Sequence, residues 1–156
     1  MTEHHSRTEY RTEVQKVELV TVYRDRKDMS YDEAVETLVH AAAVYNLFSV
    51  VAVVRDASQQ GLGLKFEGQQ LMAQNVLRNQ ERYILKLTLP NAALPMPVTQ
   101  AFLRPEGNYH YLLLKVVCRW HNPSAEGVSK AGFELADNNE PDVAQFVKEY
   151  FGLVDH

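Results

Sequence analysis

The chain has 156 residues, of which 46% are hydrophobic and 23% are charged, and its formal net charge is −4. This length and composition indicate one globular domain with a sizeable core, and the acidic balance excludes a global basic field that would recruit duplex DNA or an anionic membrane. Cys118 is the sole cysteine, which excludes an internal disulfide, and its strand-like neighbours indicate a buried, inert thiol.

The N-terminal segment is polar and charged, unlike a signal peptide, and no run of 18 apolar residues appears in the sequence. We therefore expect a cytoplasmic protein without membrane insertion. Residues 1–12 are predicted to form a flexible arm that carries two arginines, and residues 13–156 to form a single domain.

The first part of the domain predicts a strand, a helix and a second strand. The valine-rich residues 14–23 favour a strand. The SYDE stretch that begins at Ser30 is a capping box, in which the serine hydroxyl accepts a hydrogen bond from the Glu33 amide. An amphipathic helix is therefore predicted over residues 31–46, with its apolar face at Val35, Leu38, Val39 and Ala42. The β-branched residues 47–56 form the next predicted strand.

The rest of the chain alternates between strands and turns. After a Ser-Gln-Gln-Gly turn, strands are predicted at residues 61–66, 82–90, 98–105, 109–120 and 128–135. Residues 68–80 are ambiguous between a short helix and a connection, and residues 91–98 form a loop or a sheet edge because they contain two prolines. The NEPDVAQFVKEYFG segment predicts a C-terminal helix at about residues 140–152.

These elements predict a mainly β fold. About six short antiparallel strands of this kind usually close into a small barrel, because closure protects their edges. The helix at residues 31–46 would be inserted after the first strand, and the C-terminal helix would cover an open end of the barrel.

The DASQQG stretch has two interpretations. As a turn, the Asp56 and Ser58 side chains can bond nearby backbone amides, and Gly61 accepts a positive φ. As a site, the Asp56 carboxylate can accept from the paired N–H groups of a purine edge, while the Ser58 hydroxyl and the Gly61 amide can donate to a phosphate. Arg7 and Arg11 lie four residues apart, and each can present a planar fork to a phosphate or to guanine O6 and N7.

The order of these features resembles the PilZ domain family, whose members bind the bacterial second messenger cyclic di-GMP. In that family an R-x-x-x-R arm precedes the barrel and a D/N-x-S-x-x-G turn follows the second strand. Here RTEYR and DASQQG match both motifs, and the last predicted strand and helix are also similar to those of the family. The resemblance therefore covers essentially the whole chain.

The resemblance implies a ligand site and a PilZ-like barrel. Arg7 and Arg11 would bind phosphate and the Hoogsteen edge of guanine. Asp56 would accept from guanine N1–H and its exocyclic amine, or orient an arginine. Ser58 and the Gly61 backbone would meet phosphate or ribose.

Trp120 is a further candidate for the ligand site. An aromatic side chain stacks on a base in some members of the family, and Trp120 would fill that role. A buried strand tryptophan is the interpretation that we favour from the sequence.

The predicted function is a cyclic di-GMP receptor that is not an enzyme, uses no cofactor, and changes conformation and partner binding when the second messenger binds. Its implied partners are cyclic di-GMP and an unidentified protein effector. The sequence leaves open whether the protein forms a homodimer, and we do not expect it to bind DNA. The alternative is a PilZ-like protein-interaction module that binds no nucleotide, with the 31–46 helix as its docking face, although packing of that helix on the barrel is favoured. The histidines lack metal-ligand spacing and Ser58 lacks a nucleophile-elbow context, so no catalytic or metal site is predicted.

Overall fold

The computed structural model describes residues 19–25, 28–40, 49–58, 61–67, 77–123 and 128–152. The predicted arm with Arg7 and Arg11 lies outside these ranges, as do residues 14–18 of the first predicted strand and residues 41–46 of the predicted helix. The described residues form the following elements: β1 (Leu19–Arg24), α1 (Tyr31–Ala34), β2 (Ser49–Ser58), β3 (Gly61–Glu67), β4 (Arg82–Pro90), β5 (Arg104–Glu106), β6 (Tyr109–Pro123), β7 (Val128–Leu135) and α2 (Pro141–Phe151).

Six of these strands close into an antiparallel barrel. They follow the order β4-β1-β2-β3-β7-β6, and the pairing of β6 with β4 along the whole of β4 closes the ring. The short strand β5 adds to one side of β6 near its start. The predicted mainly β fold, a six-stranded antiparallel barrel with a helix after the first strand and a C-terminal helix, is confirmed.

The interior of the barrel holds the main hydrophobic core. Alternate side chains point inward along each strand, and on β4 the inward residues are Tyr83, Leu85, Leu87 and Leu89. The apolar face of α2 joins the same cluster through Val143, Val147 and Phe151. Each fully buried aliphatic or aromatic side chain contributes about 1.5–3 kcal/mol, so this cluster is the main source of stability.

A second, smaller core lies outside the barrel, under α1 and the π-helical turn that continues it (Val35–His40). The Ser30 hydroxyl accepts from the Glu33 amide at 3.2 Å, so the predicted helix cap is present. Apolar side chains of this segment pack against the outward residues of three strands, and together they comprise Tyr23, Met29, Ala34, Val35, Leu38, Ile84, Tyr111 and Leu113. The described part of the predicted helix thus packs on the barrel, although only its first turn is a regular α-helix.

One edge of β6 pairs with β5 near its start and with β7 from Val116 onward. Between these two parts, the side chains of Tyr31 and Asn139 form hydrogen bonds with the β6 backbone. The Leu113 amide donates to the Tyr31 hydroxyl at 3.0 Å, and that hydroxyl donates to the Phe102 carbonyl at 2.6 Å. The Lys115 amide donates to the Asn139 side chain at 2.8 Å, and Asn139 donates to the Lys115 carbonyl at 2.7 Å. Both the inserted helix and the segment before α2 are therefore fixed to the same strand.

The prediction of a strand over residues 98–105 is wrong for most of its length, because strand structure begins only at Arg104. The Leu103 amide donates to the Gln100 carbonyl in a turn, and the Phe102 carbonyl accepts from Tyr31. Neither group is therefore available for a strand ladder. Phe102 and Leu103 are both buried in the main core although they are adjacent, so their side chains do not alternate between two faces.

Candidate functional site

The candidate site is a row of four residues that runs across the outer face of four neighbouring strands. Asp56 on β2 pairs with Gly63 on β3, Gly63 pairs with Gly132 on β7, and Gly132 pairs with Trp120 on β6. Neighbouring strands lie about 4.8 Å apart, so the row is roughly 14 Å long. An acidic side chain and an aromatic side chain thus stand at its two ends, with two glycines between them.

A β-bulge lies beside each end of the row. The register shifts by one residue between Val54 and Asp56, where Arg55 is the extra residue, and between Cys118 and Trp120, where Arg119 is the extra residue. Each bulge places two consecutive side chains on the outer face of the barrel instead of one. The pairs Arg55–Asp56 and Arg119–Trp120 therefore both face outward.

The two glycines allow the end residues to lean inward over the backbone. A Cβ atom added to Gly63 would overlap the Asp56 carboxylate, and one added to Gly132 would overlap the indole ring of Trp120. Both side chains therefore lie flat on the backbone of the adjacent strand. A glycine within a strand often marks a place where another group approaches the backbone closely, and here that group is a side chain of the site.

The row lies in a groove of about 210 Å³, whose remaining polar side chains are Arg119 and Glu134. The Arg119 guanidinium donates to Glu134 at 2.7 Å and to the Gln80 side chain at 2.6 Å. At the other end, the Arg55 guanidinium lies 3.3 Å from the Asp56 carboxylate. Both arginines beside the row are thus already paired with a carboxylate.

The ion pair between Arg119 and Glu134 favours the charged form of both groups. The hydrogen bond from Arg119 lowers the pKa of the Glu134 carboxyl, and the same bond raises the pKa of the Arg119 guanidinium. The groove therefore presents carboxylate acceptors at both ends and a planar aromatic surface at one end. A flat ligand that carries N–H donors on its edge matches this arrangement.

Three of the six predicted site residues line this groove: Asp56, Gly61 and Trp120. Ser58 pairs with Gly61 at the end of β2, next to the groove, and its side chain is not described. Arg7 and Arg11 lie outside the described residues. The structure thus brings Trp120 to the DASQQG turn, from which it is more than 50 residues away in the sequence.

The favoured interpretation of Trp120 as a buried residue is wrong. Trp120 is 39% exposed, because the bulge at Arg119 turns its side chain to the outer face of the barrel. Gly61, by contrast, has a structural role in addition to its place in the groove. A Cβ atom there would overlap the carbonyl group of Phe133, so β3 and β7 come too close for a larger residue.

The sequence prediction missed six lining residues of the groove: Leu62, Gly63, Arg119, Gly132, Phe133 and Glu134. The signal for the glycines was present, since GLGLKF and AGFEL each carry a glycine inside a strand pattern. Nothing in the sequence marks Arg119 and Glu134, because their pairing depends on the register between β6 and β7.

The described residues do not form a metal-binding cluster. No three His, Cys, Asp or Glu side chains among them are grouped so that they could hold a metal ion. Cys118 is buried as predicted, and burial raises the pKa of its thiol to about 11, so the reactive thiolate is scarce at neutral pH. None of the described helices has the length and apolar character needed to cross a membrane.

Comparisons of the chain with protein-family models, with curated proteins and with solved structures found no match. The motifs in the sequence and the geometry of the groove are therefore the observations that bear on function.

Proposed function

We propose that this protein is a non-enzymatic receptor for cyclic di-GMP, and that the groove holds one guanine of the ligand. The observation that carries the proposal is the register row that places Asp56 and Trp120 on either side of Gly63 and Gly132. The row brings the first residue of DASQQG, Asp56, onto the same face of the barrel as the exposed Trp120. Only glycine backbone lies between the two side chains in this row.

The chemistry of guanine fits both ends of the row. Guanine presents N1–H and an exocyclic amine side by side, and a carboxylate such as that of Asp56 can accept from both. The face of the Trp120 indole that does not lie on Gly132 can stack on a base, an interaction worth about 1–3 kcal/mol. The Asp56 carboxylate would bind the edge of the guanine, and the Trp120 indole would stack on the face of the same base.

The phosphates of the ligand require cations that the described part of the groove does not supply. Arg55 and Arg119 are the guanidinium groups beside the row, and each is paired with a carboxylate. We therefore assign phosphate binding to Arg7 and Arg11, each of which offers a fork for charge-assisted hydrogen bonds. Because the resulting complex would change the charge and shape of this face, it would alter the affinity for a protein effector.

Isothermal titration calorimetry with cyclic di-GMP tests the proposal, with cyclic di-AMP and GTP as control ligands. Wild-type protein should bind cyclic di-GMP at micromolar concentration, and Arg7→Ala/Arg11→Ala should abolish most of that binding. Arg78→Ala/Arg82→Ala is a matched control, because these arginines have the same spacing and lie outside the groove. Absence of binding at tens of micromolar, or equal losses in the two double variants, would count against the receptor.

The alternative is a PilZ-like protein-interaction module that binds no nucleotide. One observation favours it: Leu19, Val51 and Val53 are exposed aliphatic residues on the outer face of β1 and β2. Val35 and Leu38 of the inserted helix are buried against the barrel, as the favoured interpretation of the sequence predicted, so these two residues are not available for docking. Binding of a protein partner that survives Asp56→Ala and is lost in Val51→Lys/Val53→Lys would support this alternative.

A further inference from the structure

A second register row runs beside the row of the groove on the outer face of the barrel. Val53 on β2 pairs with Lys65 on β3, and Lys65 pairs with Lys130 on β7. Lys130 pairs in turn with Asn122 on β6. On β3 and β7 the two rows are two residues apart, a distance of about 7 Å along the strands. Two lysines are therefore direct cross-strand neighbours next to the glycines of the groove.

Both lysine side chains point away from the core. Their neighbours along the two strands are all 0% exposed: Leu64, Phe66, Ser129 and Ala131. Successive side chains of a strand point to opposite faces, so Lys65 and Lys130 lie on the outer face, where each is partly exposed. Each ammonium group stands on a flexible four-carbon stem and can be reached by a ligand from solvent.

The lysine pair brings two like charges together. Residues directly opposite on antiparallel strands have their Cβ atoms about 5 Å apart, and like charges at such positions destabilise a sheet. The flanking residues of the row, Val53 and Asn122, are neutral, and Lys130 has no hydrogen-bond or ion-pair partner among the described residues. An anion between the two ammonium groups would offset the repulsion. An ammonium has three donors, so each lysine can bind an anion in addition to another contact.

The two sides of the groove differ in charge. The lysine pair lies on one side, and on the other side Glu134 pairs with Gly61, two residues along β7 in the opposite direction. The Glu134 carboxylate accepts from Arg119 at 2.7 Å, so its charge is balanced within the groove. A ligand with a flat base in the groove and an anionic group would therefore be oriented with the anion toward Lys65 and Lys130.

We propose that Lys65 and Lys130 form a phosphate-binding site, which holds a phosphate group of the same ligand whose base lies in the groove. This inference rests on the proposed function, because the base places the phosphate. It adds phosphate contacts on the barrel to those assigned to Arg7 and Arg11. Cyclic di-GMP carries two phosphates, so both sets of cations can form charge-assisted hydrogen bonds at once.

The test compares the whole ligand with its parts, on the full chain. Calorimetric titration at low and high salt gives the affinity for cyclic di-GMP and for inorganic phosphate, which carries the anion without a base. The indole NMR signal of Trp120, the sole tryptophan, gives the affinity for guanosine, which carries the base without a phosphate. The variant is Lys65→Gln/Lys130→Gln. Arg82→Gln/Lys148→Gln is the matched control, because it removes the same charge at two exposed positions outside the groove.

The lysine variant should bind cyclic di-GMP about 2- to 30-fold more weakly than wild type, since each lysine contributes one partly exposed charge pair. Its affinity should also depend less on salt, because two screened contacts are lost. Its affinity for guanosine should equal that of wild type. The control variant should have wild-type affinity for both ligands, and inorganic phosphate should bind far more weakly than cyclic di-GMP because it lacks the base contacts.

Three results would overturn the inference and leave the receptor in place. These are equal affinities of the lysine and control variants for cyclic di-GMP, an equal loss of guanosine binding in the lysine variant, and inorganic phosphate that binds as tightly as cyclic di-GMP. A different result would remove the proposed function and this inference with it: a wild-type Trp120 signal that moves with neither cyclic di-GMP nor guanosine.

Discussion

Asp56 and Trp120 lie at opposite ends of one register row, and each leans over the glycine next to it. The floor between them is the backbone of Gly63 and Gly132 alone. Because Asp56 on β2 and Trp120 on β6 are separated by β3 and β7, the width of the groove is set by the barrel and not by a loop. This rigidity favours a flat ligand, since little ordering is needed when it binds.

Gly132→Ala should displace the Trp120 indole and weaken cyclic di-GMP binding at least tenfold. The added Cβ overlaps the ring, and the exposed side chain can move away from it, so the fold should be retained. Tryptophan fluorescence reports the movement directly because Trp120 is the sole tryptophan. Lys130→Ala, two residues away on the same face of β7, should leave the emission of Trp120 unchanged, since Lys130 does not lie under the indole. An alanine variant that has the wild-type spectrum and affinity would contradict the geometry of the floor.

Trp120→Ala should lower the affinity for cyclic di-GMP about 5- to 150-fold, which corresponds to the loss of about 1–3 kcal/mol of base stacking. Trp120→Phe should retain most of the affinity, because it keeps an aromatic face. Both variants are compared by calorimetric titration under the same salt conditions. If the alanine and phenylalanine variants bind equally well, Trp120 does not stack on the ligand.

Tyr31→Phe should destabilise the fold by about 2–3 kcal/mol, because it leaves two buried backbone groups without a partner. The Tyr31 hydroxyl accepts from Leu113 and donates to Phe102, and burial raises the pKa of this residue to about 12. Since the unfolded chain ionises near pH 10, the stabilisation present below that pH is lost as the pH rises through the folded-state pKa.

Urea unfolding at neutral and alkaline pH measures this effect. Tyr109→Phe is the matched control, because the Tyr109 hydroxyl forms no hydrogen bond with the described residues, and it should cost little. A Tyr31→Phe variant as stable as Tyr109→Phe would show that the hydroxyl does not bridge the helix and β6.

Asp28→Asn should lower the stability at neutral pH and have little effect in strong acid. The hydrogen bond from Lys115, with its positive charge, and the bond from Asn138 hold the pKa of the Asp28 carboxyl below its usual range. A lowered pKa gives stability above the unfolded-state value, and that stability is lost as the pH falls through the folded-state value. Denaturant unfolding between about pH 2 and pH 7 measures the difference, with the exposed Asp137→Asn as control. A constant difference across this range would contradict the assignment.

The same substitution should lower the pKa of the neighbouring Asp25. Burial raises the pKa of the Asp25 carboxyl, the nearby Lys115 opposes this, and the negative charge of Asp28 adds to the increase. Removal of the Asp28 charge therefore favours ionisation of Asp25. An NMR titration of the carboxyl carbons in wild type and variant measures the Asp25 pKa. An unchanged or higher pKa in the variant would show that the Asp28 charge does not act on Asp25.

The sequence predicted the elements whose signals are local. β4 lies at residues 82–90 and β7 at residues 128–135, as predicted, because alternating apolar residues are bounded there by turn residues. α2 follows the prediction because a proline marks its first turn and Gly152 adopts the left-handed conformation at its end. The strand predicted at residues 98–105 failed because distant groups, such as the Tyr31 hydroxyl, occupy its backbone.

Exposure of the site residues could not be predicted, because it depends on the two bulges. The inward phase of β6 runs through Leu114, Val116 and Cys118, and simple alternation would continue it to Trp120. Arg119 is an extra residue in the strand, so the Trp120 side chain lies on the outer face instead of the inner one. Arg55 has the same effect on Asp56. A one-residue shift exchanges the two faces of a strand, so the groove exists only because both bulges are present.

Binding of cyclic di-GMP in the groove is tested most directly by the indole N–H signal of Trp120 in a proton–nitrogen NMR spectrum during titration with the nucleotide. Trp120 contributes the single indole signal of the protein, and it marks the end of the row opposite Asp56. If the groove holds guanine, this signal should move in a saturable way, together with the amides of Gly63 and Gly132, and cyclic di-AMP should move it much less. An indole signal that stays in place at a high concentration of cyclic di-GMP, or that moves equally with both nucleotides, would show that the groove is not a cyclic di-GMP site.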